Sequence, residues 1–261
     1  LIDDVELMDA KRGMTDDQFA QEFECSFEAA VAGAYYSKDL AQEQIVDVEY
    51  DRALPVYTAW DIGYSDDTAI WFYQVTRNEI HVIDFYASNG YGVDHYAQVL
   101  NDKAYNYAKM GNKPFLWLPH DARAKTFASG GKSTQEQFMA LGYTSRITPE
   151  LSLQDGIQAL RMALPRMWFD RDRCKDGIEA LKLYRREWDS DKKVFRDKPL
   201  HDWTSHAADA ARYMALSWKE LKPEEKKPEP KWAMQGVGDG ITRTTTMDDL
   251  WAMAPKRNGR I

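Results

Sequence analysis

The stretch VYTAWDIGYSDDTAIWFYQVTRNEIHVIDFYAS, residues 56–88, decides the fold. Three runs rich in β-branched and aromatic residues (56–63, 68–75 and 79–88) are separated by the polar turns YSDD and TRN, the pattern of consecutive antiparallel strands. A three-stranded meander is expected. Its first strand is apolar until it presents Asp61, followed by Gly63 and a polar turn. A carboxylate in that position stands at a strand end, where sheets place ligands, and Gly63 would let a substrate backbone approach closely. The plainer alternative is that Asp61 accepts hydrogen bonds from turn amides. Asp66 and Asp67 read as solvated or turn-forming residues. Asp84, late in the third strand, is a fourth candidate acid that reads more simply as a hairpin-edge charge.

Downstream, a helix is expected over 93–110, with Tyr96, Leu100, Ala104 and Tyr107 on one face and Gly111 as its stop. The buried strand FLWLPHDA then ends at His120 and Asp121. Alternation sends these two side chains to opposite faces, so Asp121 is chosen to face the same site as Asp61 and His120 reads as structural. A loop (123–132), helix (133–141), strand (144–147), helix (152–164), strand (167–170), helix (175–188), charged hairpin (189–199) and closing helix (201–221) complete the order. Antiparallel strands followed by alternating strands and helices imply an α/β fold, a mixed sheet covered by helices on both faces. The run GGKST, 130–134, imitates the end of a phosphate loop, but the first glycine of that motif would fall on Thr126. No nucleotide site is expected there. Ser133 with Glu136 instead spells a capping box, and Arg123, Lys125 and Lys132 are cations that could touch a phosphate backbone.

The closing helix carries the second decisive pattern, HDWTSHAADAARYMAL, residues 201–216. Its alanines leave room for close packing, while Asp202, His206 and Asp209 recur on one helical face. A carboxylate among alanines is costly to ionise without a counter-charge, and a hard divalent cation supplies one. The alternative stays open that Asp202 caps the helix and Asp209 pairs with Arg212 at i+3. Acids at the ends of two strands and on a last helix suit two Mg2+ or Mn2+ ions, with Asp61, Asp121 and Asp209 as ligands and Asp202 as a further one. Phosphodiester hydrolysis by such a pair needs no protein nucleophile and reads no base.

Composition narrows the classes. With 261 residues, 44% hydrophobic and 13% aromatic, the chain is globular rather than disordered. No apolar run approaches the roughly 20 residues that cross a bilayer, so no membrane partner is expected. Cys25 and Cys174 lie far apart, which argues against a disulfide framework or a zinc site. The net charge of −8 is unevenly placed: residues 1–56 hold 4 basic and 14 acidic side chains, residues 161–198 hold 12 basic and 8 acidic. A local basic band can follow phosphates whatever the total, although a solvated helix face explains it equally well. Residues 1–55, with a helix capped by Thr15, read as the end of a preceding domain and a linker. Residues 56–221 read as the main domain and 222–261 as a loose tail in which Trp232 or 247–253 could dock. The first residue, Leu1, and the acidic opening suggest a fragment of a longer protein.

The order of strands and helices, with acids on the first strand, the fourth strand and the last helix, resembles the ribonuclease H-like fold shared with RuvC-type resolvases. Within it, FAQEFECSFEAAVAGAYY (19–36), AWDIGYSDDTAI (59–70), LPHDARA (118–124) and SHAADAARY (205–213) resemble the large terminase subunit of tailed bacteriophages. By that resemblance Asp61, Asp121 and Asp209 take the places of the family's metal-binding acids. His206 takes the place of the acid or histidine that precedes the last ligand in resolvases. The resemblance implies an endonuclease that cuts concatemeric double-stranded viral DNA in the host cytoplasm. Its implied partners are an N-terminal ATPase domain, a small terminase subunit and the portal protein. The ATPase motifs of the family do not occur in these residues. The acidic net charge and sparse basic surface leave a second reading, a DNA- or portal-binding module with little activity without its ATPase domain.

Overall fold

The computed structural model describes residues 32–63, 66–125, 130–221, 236–237 and 240–241. A short strand β1 (Ile45–Val46) precedes the expected meander, β2 (Tyr57–Asp61), β3 (Thr68–Thr76) and β4 (Glu79–Ser88). Both turns of the meander are antiparallel, with Trp60 opposite Ile70 and Ile70 opposite Tyr86. All of β3 but its last residue is buried, which fits a central strand packed on both faces. The remaining strands of the sheet are β5 (Lys109–Met110), β6 (Lys113–Leu118), β7 (Thr144–Ile147) and β8 (Met167–Asp170). The sheet runs β1-β8-β4-β3-β2-β6, with β7 along the far side of β6 and β5 against its start. β6 joins β2 and β7 in parallel, and β8 joins β4 and β1 in parallel, so the sheet is mixed as expected.

Helices cover both faces because alternate residues of the meander are large and apolar on both sides. Trp60, Ile70 and Phe72 pack with Tyr96 and Leu100 of α1 (Val93–Lys103) and Phe138 of α2 (Thr134–Ala140). On the opposite face Trp71 and Tyr73 pack with α3 (Leu153–Ala163), α4 (Lys175–Leu183) and the closing helix α5 (Thr204–Ser217). Closeness on that face is set by small residues. Gly177 of α4 sits where an added Cβ would lie 2.3 Å from Cη2 of Trp71. Alanine would gain about 1 kcal/mol of helix propensity, but overpacking a pinned indole costs about 1–3 kcal/mol. Gly177→Ala is therefore expected to lower stability in urea unfolding, and Trp71→Phe in the same chain to recover part of the loss; a stabilised single variant would contradict this packing.

Several boundaries differ from expectation, each because a distant partner takes over. The helix expected to reach 110 stops at Lys103, where Ala104 turns left-handed (φ 49°). Beyond it, Ala108 N–H bonds Val56 O at 2.8 Å and Phe115 N–H bonds Ala108 O at 2.8 Å, so the segment joins the sheet. The helix expected over 175–188 ends at Leu183, because β9 (Arg186–Asp189) pairs with β10 (Val194–Pro199). The closing helix begins at Thr204 rather than 201 and passes into a 3-10 turn at Trp218–Glu220.

No break marks residue 55, where a linker was expected to end. Tyr35, Tyr36 and Leu40 lie in the same core as α5, and Ile45 pairs with Phe169. The Gln44 amide donates to Leu164 O (2.5 Å) and Met167 O (2.7 Å), which ties this segment to the sheet edge. The helix expected after Thr15, and Cys25, lie outside the described residues. The chain divides into units Leu1–Pro223 and Glu224–Ile261. Of the second, the described residues form an antiparallel pair, Gly236–Val237 with Gly240–Ile241; Trp232 and 247–253 lie outside them.

Candidate active site

Asp61 is the last residue of β2 and lies opposite Ala69 of β3. α5 crosses this end of the sheet with Ala207, Ala208, Ala210 and Ala211 buried beneath it. Such small residues let the helix backbone come down to the sheet, close enough for Trp71 Nε1–H to donate to Ala207 O at 2.9 Å. At the other end of the helix, Tyr73 and Ser217 hydroxyls bond at 2.9 Å. Held at both ends, α5 brings His206 Nδ1 to 3.0 Å from Asp61 Oδ2 and sets Asp209 one turn further on. Asp121 arrives from the neighbouring strand. It lies in the 3-10 turn His120–Arg123 that follows β6, so strand alternation does not decide its direction as expected from sequence.

The acids act on one another. Burial pushes the Asp61 carboxyl up, and the charges of Asp209 and Asp121 push it further, against the lowering effect of His206. The Tyr213 hydroxyl is also pushed up, first by burial and then by the charges of Asp61, Asp209 and Asp121. Sequence reasoning passed over Tyr213. The signal was present in its i+4 spacing from Asp209.

The local contacts that the sequence offered as alternatives are also made. Asp202 lies before α5, and its Oδ1 accepts from Thr204 N–H (2.9 Å) and Thr204 Oγ1–H (2.6 Å), a helix-capping arrangement. Asp209 Oδ1 accepts from Arg212 Nη2 at 2.5 Å. Among the described residues no group of three or more His, Cys, Asp and Glu side chains is arranged to hold a metal ion. The charges of Asp209 and Asp121 nevertheless act on Asp61, and carboxylates are hard oxygen donors of the kind a divalent cation takes when phosphate supplies its remaining ligands.

The other singled-out residues take different places. Asp84 is buried and structural: it pairs with Lys103 and accepts from Tyr105 Oη–H (2.9 Å) and Phe85 N–H (2.8 Å). Gly63 serves its own turn, since a Cβ there would lie 2.6 Å from Asp66 O, and Thr68 Oγ1–H closes that turn onto Gly63 O at 2.7 Å. Asp67 Oδ1 accepts from Asn89 Nδ2 at 2.7 Å. In the GGKST run Ser133 and Glu136 form the expected capping box, with Glu136 N–H to Ser133 Oγ at 3.1 Å and Ser133 N–H to Glu136 Oε2 at 2.8 Å. Lys125 pairs with Glu136 at 3.4 Å, while Arg123 and Lys132 are exposed near the Asp121 turn.

No protein-family model matches the chain. Over 224 residues, 81% of its length, it is 25% identical to the terminase large subunit of Escherichia phage T5 and spans 47% of that protein. The large terminase of the thermophilic bacteriophage D6E superposes on 83% of this chain with a TM-score of 0.55 at 15% identity, over 52% of its own length. The nuclease domain of the P22 large terminase is matched over 93% of its length by 72% of this chain, with a TM-score of 0.52 at 17% identity. The fold is that of the large-terminase nuclease domains. The chain thus spans about half the length of the curated relative it matches. In this ribonuclease H-like nuclease fold, β2, β6 and α5 correspond to the first strand, fourth strand and last helix on which the acids were expected.

The Asp61–His206 contact is expected to contribute to the stability of this fold. Hydrogen bonding to Asp61 raises the His206 imidazole, with the charges of Asp61, Asp67 and Asp66 adding to it against burial. A raised imidazole contributes stability in full below its unfolded value of about 6.5 and loses it as pH climbs through the folded value. In metal-free buffer His206→Gln is expected to cost about 1–2 kcal/mol at acid pH, with the gap narrowing as pH rises. Chemical unfolding at several pH values checks this, and a gap independent of pH would remove the assignment.

Proposed function

We propose that this chain is the nuclease part of a viral DNA-packaging terminase, a divalent-metal-dependent endonuclease that cuts concatemeric double-stranded DNA. What supports the reading is that Asp61, at the end of β2, lies 3.0 Å from His206 of α5 and feels the charges of Asp209 and Asp121, in a fold matched by the nuclease domain of the P22 large terminase. Their carboxylates would hold two Mg2+ or Mn2+ ions. When bound, such ions activate a water and stabilise the leaving 3′ oxygen of an in-line displacement. His206, donating from Nδ1, orients Asp61, and Arg212 orients Asp209 through its Oδ1. Asp202, whose Oδ1 accepts from Thr204, would join this set through its other oxygen. Arg123, Lys125 and Lys132 would steady the phosphate backbone, contacts that carry no base information. An ATPase domain, a small terminase subunit and the portal are the partners implied by the likeness to a terminase large subunit, in the host cytoplasm; among the described residues no helix is long and apolar enough to cross a membrane.

Plasmid cleavage tests the proposal. With Mg2+ or Mn2+ the chain is expected to nick and linearise supercoiled DNA, to stop on chelation, and to lose activity in Asp209→Ala. Undiminished cutting by Asp209→Ala would remove that residue from the ligand set, and absence of cutting in either metal would overturn the reading.

A further inference from the structure

The helix that carries Asp209 packs against α3, and a glycine stands at the contact. Gly156 is buried, and a Cβ built on it would lie 3.2 Å from Nη1, 3.4 Å from Cδ and 3.9 Å from Cβ of Arg212. The Arg212 side chain therefore runs lengthwise across the one residue type that has no side chain to displace it. Glycine is a poor helix former, and Gly156 N–H is bonded to Ser152 O at 2.9 Å within a regular helical turn, so the backbone does not call for glycine here. The guanidinium beside it does. Arg212 Nη2 donates to Asp209 Oδ1, in an ion pair whose arginine side chain is 10% exposed and whose aspartate is 29% exposed, so the carboxylate is the open end. Arg212 Nε is buried without a hydrogen-bond partner. Nε therefore does not fix the guanidinium, and the surface on which the side chain lies matters the more.

We propose that Gly156 is a positioning residue for cleavage: by leaving room for Arg212 it fixes the Asp209 carboxylate through the guanidinium, so that the oxygen not given to Arg212 is free for a divalent cation. The proposal rests on the nuclease reading for the role of Asp209. A guanidinium is planar and rigid, so Nη1 cannot give way without carrying Nη2 along. A methyl group at 3.2 Å would push Nη1 by a few tenths of an ångström, and misplacement of a reacting group by about 1 Å can cost about a hundredfold in rate. A several-fold effect is therefore expected from a buried residue that touches Arg212 and not the reacting atoms. Groups one step removed from a metal alter its affinity by about 10–100-fold, which bounds the effect of changing Arg212 itself.

The test measures the full chain in three ways: Mn2+ binding without DNA, by paramagnetic resonance titration; Mn2+-dependent plasmid cleavage; and melting in chelator. Gly156→Ala is expected to weaken Mn2+ binding and slow cleavage about three- to tenfold while melting no lower than the parent, because alanine is the better helix former. Arg212→Lys, which keeps the charge but has no Nη1, is expected to lose about tenfold in both. In that background Gly156→Ala should cost nothing further, the non-additivity of residues that act through one contact. Parent-like Mn2+ binding by Gly156→Ala overturns the proposal, and so does a Gly156→Ala loss that is the same in both backgrounds, whatever the melting temperatures. Either result beside cleavage by the parent leaves the nuclease reading standing. Mn2+ binding that Asp209→Ala abolishes and a non-additive pair, in a chain that cuts no DNA, support the seating of Asp209 and overturn the nuclease reading. A parent that neither binds Mn2+ nor cuts overturns both.

Discussion

Asp61→Asn is expected to slow metal-dependent DNA cleavage by more than about a hundredfold, the upper end of what losing even an outer-sphere partner costs, while leaving the melting temperature unchanged or higher. Two effects compete at this residue. The contact with His206 favours the ionised carboxylate, whereas burial and the charges of Asp209 and Asp121 oppose it. The net displacement is upward, so the second group wins and the folded chain holds this proton more tightly than the unfolded chain. Stability tied to Asp61 is therefore greatest at low pH and falls as pH rises from the ordinary carboxylate range through the raised folded value. At neutral pH the neutral amide escapes that cost and keeps the shape of the side chain. Relief of about 1 kcal/mol would appear as roughly 2–4 °C in a domain of this size. Thermal melting in chelator, beside plasmid cleavage in Mg2+, reads both quantities; a variant that melts several degrees lower would make Asp61 a structural residue.

Trp71→Ala is expected to cost about 3–5 kcal/mol, the usual range for emptying a fully buried aromatic site. Its ring is wholly buried, 4.4 Å from the Phe85 ring and 5.8 Å from the Phe169 ring, and its Nε1–H holds the backbone of α5 at Ala207. Ala207 follows His206 and precedes Asp209 by two residues, so the same side chain seats two of the residues assigned to cleavage. Loss of the indole should therefore reduce cleavage under conditions where the variant is still folded. Trp71→Phe should keep most of the packing, lose the hydrogen bond, and fall between the two. Urea unfolding and cleavage rates measured on the same preparations check the order; parent-like cleavage by folded Trp71→Ala would show that α5 finds its place without this anchor.

Much of the architecture was legible because its signals are local. The β-branched and aromatic runs in residues 56–88, with the polar turns between them, specify three strands without reference to anything else, and β7 and β8 stand between helical patterns where they were expected. The capping box at Ser133 and Glu136 is likewise written within four residues. Boundaries failed where a distant strand competes for the same backbone, as at 104–110 and 186–189. Gly63 has a further need for no side chain that the sequence reading did not name, since a Cβ there would meet the carbonyl of Asp66 in its own turn.

For the site, sequence by itself determined which acids stand at strand ends and on the last helix, because charge among apolar neighbours is visible in one dimension. Only the tertiary structure decided that Asp61 meets His206 and that Asp121 stands in a 3-10 turn beyond β6, and it chose among alternatives the sequence had left open when Asp209 met Arg212 and Asp202 met Thr204. Those outcomes depend on how closely an alanine-lined helix settles on the sheet and on which of several possible partners each carboxylate then reaches. The Asp61–His206 distance arises from packing between residues 145 apart in the chain, and no local pattern encodes it.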